Sequence, residues 1–161
     1  IDAKVTIIAY ESLTCSHCAD FHENVYPDLK KEFIDTGLVK MEFRHFPLDL
    51  AALNASKIAQ CKNDGKSDLL HFLFSNQKKW VKGKTVEDVN KNLKKLLKDE
   101  NIDIDFEKCI NDKRIEDYVL NDRIEAVKFL AFARHLAQDV GIQGAGGIVR
   151  RRDKGSLCKV I

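Results

Sequence analysis

The feature that most constrains this chain is a pair of cysteines two residues apart, in Cys15-Ser16-His17-Cys18. The motif directly follows the apolar run from Val5 to Tyr10. That run predicts a buried strand, and the residues from Ala19 to Phe33 predict a helix. A C-x-x-C motif placed between a strand and a helix is typical of a redox-active dithiol. We therefore predict an α/β fold arranged around this motif.

The predicted position of Cys15 at the N-terminus of a helix determines the chemistry of its thiol. Unpaired backbone N–H groups and the helix dipole favour a negative charge there. A thiolate at Cys15 is therefore stabilised, which makes this cysteine both a reactive nucleophile and a good leaving group. A protonated His17 adds positive charge beside it, and Cys18 lies close enough to form a disulfide with Cys15. We predict Cys15, Cys18 and His17 as the catalytic residues.

The same pair of cysteines is also compatible with a metal site. A structural zinc site normally needs two further ligands at matching spacing. The remaining cysteines, Cys61, Cys109 and Cys158, are isolated from one another in the sequence. His17 and His22 have a suitable separation, but His17 lies inside the motif itself. Redox use is therefore the favoured interpretation, metal binding is the alternative, and no metal ligands are assigned.

Length and composition indicate one globular domain with an insertion. The chain has 161 residues, of which 44% are hydrophobic and 32% charged, as is usual for soluble proteins. The net charge of +2 gives no indication of nucleic-acid binding. No apolar stretch reaches the length of a membrane span. Because the sequence begins at Ile1 rather than Met, we expect that an upstream segment such as a signal peptide has been removed.

The cysteine content favours an oxidising compartment over the cytosol. The chain has five cysteines, and disulfides persist mainly in secreted and periplasmic proteins. The number is odd, so at least one cysteine has no partner within the chain.

Hydrophobic periodicity places a long helical region between two parts of a sheet. Residues 4–10 predict a strand, residues 15–36 a helix interrupted at Pro27, and residues 38–46 a second strand parallel to the first. The residues after Leu48 have helical patterns as far as Gln138. A hairpin is predicted around Arg152 to Gly155. The predicted helices of the middle region cover residues 51–62, 67–79, 86–97, 103–110 and 112–138, with a capping box at Thr85 to Asp88.

With these features, the chain resembles the DsbA-like family of bacterial thiol–disulfide oxidoreductases. The resemblance covers about residues 4–128, and Ser-His replaces the Pro-His that the family usually carries between its cysteines. It implies a thioredoxin fold with an inserted helical domain: residues 1–48 and 139–161 form the thioredoxin-like domain, shortened at its C-terminus, and residues 49–138 the insertion. The matching residues are Tyr10, Ser12-Leu13-Thr14, Cys15 to His22, Phe43 to Leu48, Ala55 to Cys61, Phe74 to Trp80 and Phe106 to Cys109.

The resemblance also implies an activity and partners. The expected function is that of a dithiol oxidase that introduces disulfides into reduced secreted proteins in the periplasm. It needs no cofactor, is re-oxidised by a membrane protein of DsbB type, and is expected to be a monomer. A disulfide isomerase or reductase is one alternative, and a non-catalytic metal-binding module is another. The resemblance suggests a structural disulfide between Cys61 and Cys109, and two buried free thiols are the alternative.

Two family features are altered in this sequence. Family members carry a cis-proline loop that faces the cysteines and presents backbone to the substrate. Gly144-Ala145-Gly146 occupies that position here, so we assign Ala145 and Gly146 to substrate binding and expect the loop to be poorly fixed. The family also often has a buried acid near the end of the first strand. That position is Ala9 in this chain, and Glu11 is the candidate substitute.

Several other residues are interpreted as structural. Cys158 is expected to be a bystander, and the run from Arg150 to Arg152 is expected to form a solvated turn. We expect His45, His71 and His135 to be exposed or half-buried residues without a role in the chemistry.

Overall fold

A computed structural model describes residues 3–62, 65–139, 150–152 and 156–160, and beyond residue 130 it describes the backbone alone. The described elements comprise a mixed sheet and a block of helices. The strands are β1 (Val5–Glu11), β2 (Val39–His45), β3 (Arg150–Arg152) and β4 (Ser156–Val160). The helices are α1 (Ser16–Asn24), α2 (Tyr26–Leu29), α3 (Leu50–Cys61), α4 (Asp68–Ser75), α5 (Gln77–Trp80), α6 (Val86–Asp99), α7 (Phe106–Asn111) and α8 (Lys113–Asp139), with a π-helical turn at Lys30–Ile34.

The sheet places the cysteine motif at the end of an interior strand. Its order is β2-β1-β4-β3. Strand β1 pairs in parallel with β2, from Val5 opposite Val39 to Glu11 opposite His45, and it also pairs in parallel with β4. The carboxyl end of β1 therefore leads directly into the motif, and the carboxyl ends of parallel strands are where α/β proteins commonly place their sites. The prediction of an α/β fold with helices inserted between strands is confirmed.

The helix predicted over residues 15–36 is divided into three pieces. Helix α1 ends at Asn24, Pro27 lies in the first turn of α2, and a π-helical turn follows. Proline has no N–H to donate and its ring clashes with the preceding turn, so it ends one helix and is tolerated at the start of the next. Gly37 then terminates the segment with a φ of 75°, a conformation that suits glycine.

The helices pack around an apolar core formed chiefly by α3, α4, α5 and α6, and this core also includes Leu13 and Cys18 of the motif region. Trp80 and Leu73 are completely buried, and the Trp80 indole N–H donates a hydrogen bond of 2.9 Å to the Leu73 carbonyl. The capping box at Thr85 and Asp88 is present as predicted. The single helix predicted over residues 67–79 is wrong, because α4 ends before Asn76 and α5 begins after it.

The apolar residues of α8 are only partly buried. Val119 and Ala126 are fully buried, whereas Ile124 and Val127 are about half exposed, at 48% and 51%. Residues 119, 122 and 126 share a helix face because they are separated by three and four positions. The buried face therefore includes a carboxylate, Asp122, which an apolar count cannot identify.

The C-terminal strands form the predicted hairpin. β3 and β4 pair antiparallel, with Arg150 opposite Cys158 and Arg152 opposite Ser156. The three arginines therefore belong to a strand, and the prediction of a solvated turn is wrong. Strand β3, which contains these arginines, belongs to the sheet because it pairs with β4, and β4 pairs with β1. Within the described part of the chain, none of the helices combines the length and the apolar content needed to cross a membrane.

Candidate active site

Cys15 occupies the N-cap position of α1. Its backbone is extended, with φ −77° and ψ 119°, and its Sγ accepts a hydrogen bond of 3.4 Å from the Cys18 backbone N–H. The sulfur therefore lies against the unpaired donors at the start of the helix, where negative charge is favoured. Cys15 is half-buried and His17, in the first turn, is exposed. Both Cys15 and Cys18 are free thiols in this structure.

Cys18 differs sharply from Cys15 in its surroundings. It is only 2% exposed. Burial, the hydrogen bond with Cys15 and the nearby negative charge of Glu11 raise the pKa of Cys18 to about 12. At neutral pH Cys18 is therefore a protonated, shielded thiol, and Cys15 is the one that a substrate can reach.

A glutamine from the helical block holds the loop that carries Cys15. The Gln77 side-chain amide donates hydrogen bonds of 2.9 Å to the carbonyls of both Leu13 and Cys15. Gln77 is buried at the start of α5, more than sixty positions along the chain from this loop. Our sequence reasoning missed this residue, although it falls within the segment from Phe74 to Trp80 that carries the resemblance.

A second set of contacts fixes the other side of the loop. The Thr14 hydroxyl donates a hydrogen bond of 2.7 Å to Asp49, and Asp49 also caps α3 by accepting from the Ala52 N–H. The Ser12 hydroxyl accepts a hydrogen bond of 3.3 Å from the Leu48 N–H. The loop before Cys15 is thus tied to the segment that follows β2.

We expect Gln77→Ala to lower the free energy of unfolding by about 1–3 kcal/mol, since the Leu13 and Cys15 carbonyls would lose their donor in a buried setting. Urea unfolding measures this change. Lys78→Ala is the matched control, because Lys78 is the exposed neighbour on the same helix and should leave stability unchanged within about 0.5 kcal/mol. Equal effects of the two substitutions would contradict the role of Gln77.

A buried carboxylate lies at the end of β1, next to the motif. The side chain of Glu11 is 2% exposed and that of His22 is 1% exposed, and Glu11 Oε2 lies 2.8 Å from His22 Nε2. Glu11 Oε1 is also buried and has no hydrogen-bond partner within the described part of the chain. The structure thus places Glu11 where a substitute for the family's buried acid is expected.

Two histidines continue from this carboxylate. His22 Nδ1 lies 2.7 Å from His71 Nδ1, and both rings are enclosed by aromatic side chains, with Phe74 stacked on His22 at 4.1 Å and Tyr26 on His71 at 4.3 Å. Burial, followed by the neighbouring His22, lowers the pKa of His71 to about 4. His71 is therefore neutral at pH 7.

His22 was not predicted, although the sequence contained a signal for it. His22 follows Cys18 by four positions on α1, so the two side chains share a helix face, and both are buried. His71 was predicted to be structural, and only the fold brings it to His22. His45 is more buried than predicted, at 8% exposure, and this burial lowers its pKa.

The structure joins Cys61, at the end of α3, to Cys109, on α7, by a disulfide with Cα atoms 5.7 Å apart.

Ala145 and Gly146, assigned to substrate binding, lie outside the described residues, as do the side chains of Cys158 and His135. Among the residues whose placement is described, no three or more histidine, cysteine or acidic side chains are grouped as metal ligands would be.

Comparison with known proteins identifies the family of this chain. The sequence profile of the family described as Thioredoxin matches residues 1–131. A Rickettsia bellii protein named "Putative protein-disulfide oxidoreductase" is 30% identical over 139 residues, which are 80% of this chain and 51% of that protein. A Bacillus cereus protein named "Probable disulfide bond formation protein D" is 29% identical over 135 residues, covering 79% of this chain and 61% of that protein.

The fold is similar to that of solved structures. The crystal structure of Wolbachia pipientis alpha-DsbA1 matches with a TM-score of 0.69 and 33% identity, over 89% of this chain and 68% of that protein. BdbD from Bacillus subtilis matches in fold, with a TM-score of 0.52 and 22% identity over 91% of this chain and 75% of that one. The chain spans about half the length of the Rickettsia bellii relative.

Proposed function

Because this chain belongs to the DsbA-like family of thioredoxin-fold disulfide oxidoreductases, we propose that it is a dithiol oxidase that introduces disulfide bonds into reduced secreted proteins in the periplasm. The observation that carries the proposal is the unequal pair at the start of α1. Cys15 caps the helix and is accessible, whereas Cys18 is buried and has a raised pKa.

The proposed reaction begins with the Cys15–Cys18 disulfide. A substrate thiolate attacks Cys15 Sγ, the bond between the two cysteine sulfurs breaks, and Cys18 leaves as a thiolate that takes up a proton. A second substrate thiolate then attacks the substrate sulfur of the mixed disulfide, and Cys15 leaves as a thiolate. The substrate loses two electrons and the cysteine pair gains them. Stabilisation of the departing Cys15 thiolate at the helix N-terminus favours this direction.

The remaining parts of the proposal follow from the resemblance. The thiols carry the two electrons themselves, so the reaction needs no cofactor. The reduced pair has to be re-oxidised before another turnover, and we propose a membrane oxidant of DsbB type for that step. We propose that the protein acts as a monomer.

The reduction potential of the Cys15–Cys18 pair tests this function, and a His17 variant tests whether that residue contributes to the potential. Equilibration of the purified protein with glutathione buffers should give a potential less negative than about −180 mV, the value typical of disulfide isomerases. His17→Ser should make the potential more negative by roughly 10–40 mV, because a positive charge near the Cys15 thiolate favours the reduced form. Ser16→Ala, an uncharged change at the neighbouring exposed position, is the matched control.

The same measurements separate the alternatives. A potential close to that of thioredoxin, about −270 mV, would favour a reductase over an oxidase. The oxidase proposal also requires the disulfide form to oxidise a reduced, unfolded protein, which can be followed by loss of substrate thiols. A potential unaffected by His17→Ser would mean that the helix terminus acts without help from this histidine.

A further inference from the structure

A continuous row of side chains runs from the vicinity of Cys18 to a surface cavity. It begins at Glu11, whose Oε2 lies 2.8 Å from His22 Nε2, and continues from His22 Nδ1 to His71 Nδ1 over 2.7 Å. His71 is half-buried and lines a cavity of about 350 Å³. His22 also borders this cavity, but its side chain is only 1% exposed, so His71 is the histidine of the two that solvent can reach. The row therefore spans from a fully buried carboxylate to a cavity on the protein surface.

The buried sulfur of Cys18 has to exchange a proton with solvent in each reaction, and such a row of side chains could carry that proton. Each time the Cys15–Cys18 bond opens or closes, the Cys18 sulfur has to gain or lose a proton, because its thiol form is strongly favoured when reduced. Cys18 is 2% exposed, which leaves bulk water almost no direct access to its sulfur. Glu11 is close enough for its charge to affect Cys18, and its Oε1 has no hydrogen-bond partner among the described residues.

We propose that His22 and His71 conduct protons between the buried Glu11–Cys18 site and solvent at the cavity lined by His71. The inference rests on the proposed function, since it concerns the proton of the same cysteine pair. It adds two residues that neither the motif nor the family comparison assigns to the chemistry.

The proposed path requires the hydrogen bonds of the row to have one direction. Its starting state has an ionised Glu11 and a neutral His22, so that His22 Nε2–H donates to Glu11 and His22 Nδ1 accepts from His71 Nδ1–H. A proton from solvent enters at His71 Nε2, the Nδ1 proton of His71 passes to His22 Nδ1, and the Nε2 proton of His22 passes to Glu11. Glu11, now neutral, transfers a proton to the departing Cys18 thiolate, directly or through one water. One proton enters and one S–H bond forms.

The same path operates in reverse when the pair closes. After the reduced protein attacks oxidised glutathione, Cys15 is joined to glutathione and Cys18 is still a thiol. Cys18 then loses its proton and attacks Cys15 Sγ, the bond from Cys15 to glutathione breaks, and glutathione leaves as a thiolate. Cys18 is oxidised, the glutathione sulfur is reduced, and one proton leaves through Glu11, His22 and His71. This closing step is first-order and can be timed.

The experiment follows closure in single turnover. Reduced protein carrying Cys158→Ser, so that only the cysteine pair reacts, is mixed with excess oxidised glutathione, quenched with acid and analysed by mass spectrometry. His71→Asn retains a side-chain N–H in place of Nδ1–H but cannot pass a proton on. It should slow closure about tenfold or more, while the mixed disulfide still forms at the wild-type rate because that step needs only Cys15.

Two further variants distinguish proton transfer from structural support. Tyr26→Phe removes a hydroxyl from the residue that stacks on His71 but leaves the row of hydrogen bonds intact, so closure should keep its rate. His71→Ala enlarges the cavity, and added imidazole should restore closure in proportion to its concentration. Wild-type closure in His71→Asn, or no recovery of His71→Ala with imidazole, would overturn the inference. If the wild-type protein forms no mixed disulfide at all, the proposed function fails first and the inference falls with it.

Discussion

Replacing Cys15 with Ser is expected to abolish disulfide exchange, reducing the oxidation of a reduced protein substrate to the rate measured without the protein. Among the cysteines whose side chains the structure describes, only Cys15 combines accessibility with the helix N-cap position, where its thiolate is stabilised. A serine hydroxyl at the same position can neither form a disulfide nor accept electrons. Thiol loss from the reduced substrate, followed over time, measures the effect.

Cys18→Ser is the matched variant for this prediction. It keeps Cys15 at the N-cap but removes the buried partner, so its Cys15 thiolate should attack oxidised glutathione, release one glutathione as a thiolate, and accumulate the mixed disulfide between Cys15 and the other glutathione. Mass spectrometry distinguishes this trapped species from the unreacted Cys15→Ser protein. Residual oxidation by Cys15→Ser, or trapping by Cys15→Ser instead of Cys18→Ser, would show that another cysteine is the nucleophile.

Removing the disulfide between Cys61 and Cys109 is expected to lower the free energy of unfolding by about 4 kcal/mol. The two residues are 48 positions apart, and a cross-link over a loop of that length restricts the unfolded chain by about this amount in the chain-entropy model. The loss would be a large share of the roughly 5–15 kcal/mol typical of folded domains. Urea unfolding of the Cys61→Ala/Cys109→Ala double variant measures it.

The exposed residues next to the two cysteines provide the control for stability. Lys62→Ala/Lys108→Ala should change the free energy of unfolding by less than about 1 kcal/mol, because no cross-link is lost. The double cysteine variant should also retain a reactive Cys15, since the disulfide joins α3 to α7 and not to the helix that carries the motif. A loss of stability below about 1 kcal/mol in the double cysteine variant would mean that the folded helices hold this region together without the bond.

Features that depend on near neighbours in the chain could be predicted from the sequence. The helix that follows the motif is one such feature, as are its division at Pro27 and the capping box at Thr85. Each depends on hydrogen bonds between residues no more than four positions apart, or on the missing N–H of a proline. Such interactions form in the same way wherever the segment is placed in the fold.

The tertiary structure decided which polar residues surround the motif. Gln77 reaches the Leu13 carbonyl across 64 positions, and His71 reaches His22 across 49. The buried acid beside Cys18 was identified only as a candidate, and His22 was overlooked, because periodicity counts apolar residues and gives no sign of a polar side chain that is buried with its partner. A buried polar group is stable only where hydrogen bonds replace those it loses to water. That condition is met when distant segments pack together, so it is decided by the tertiary structure.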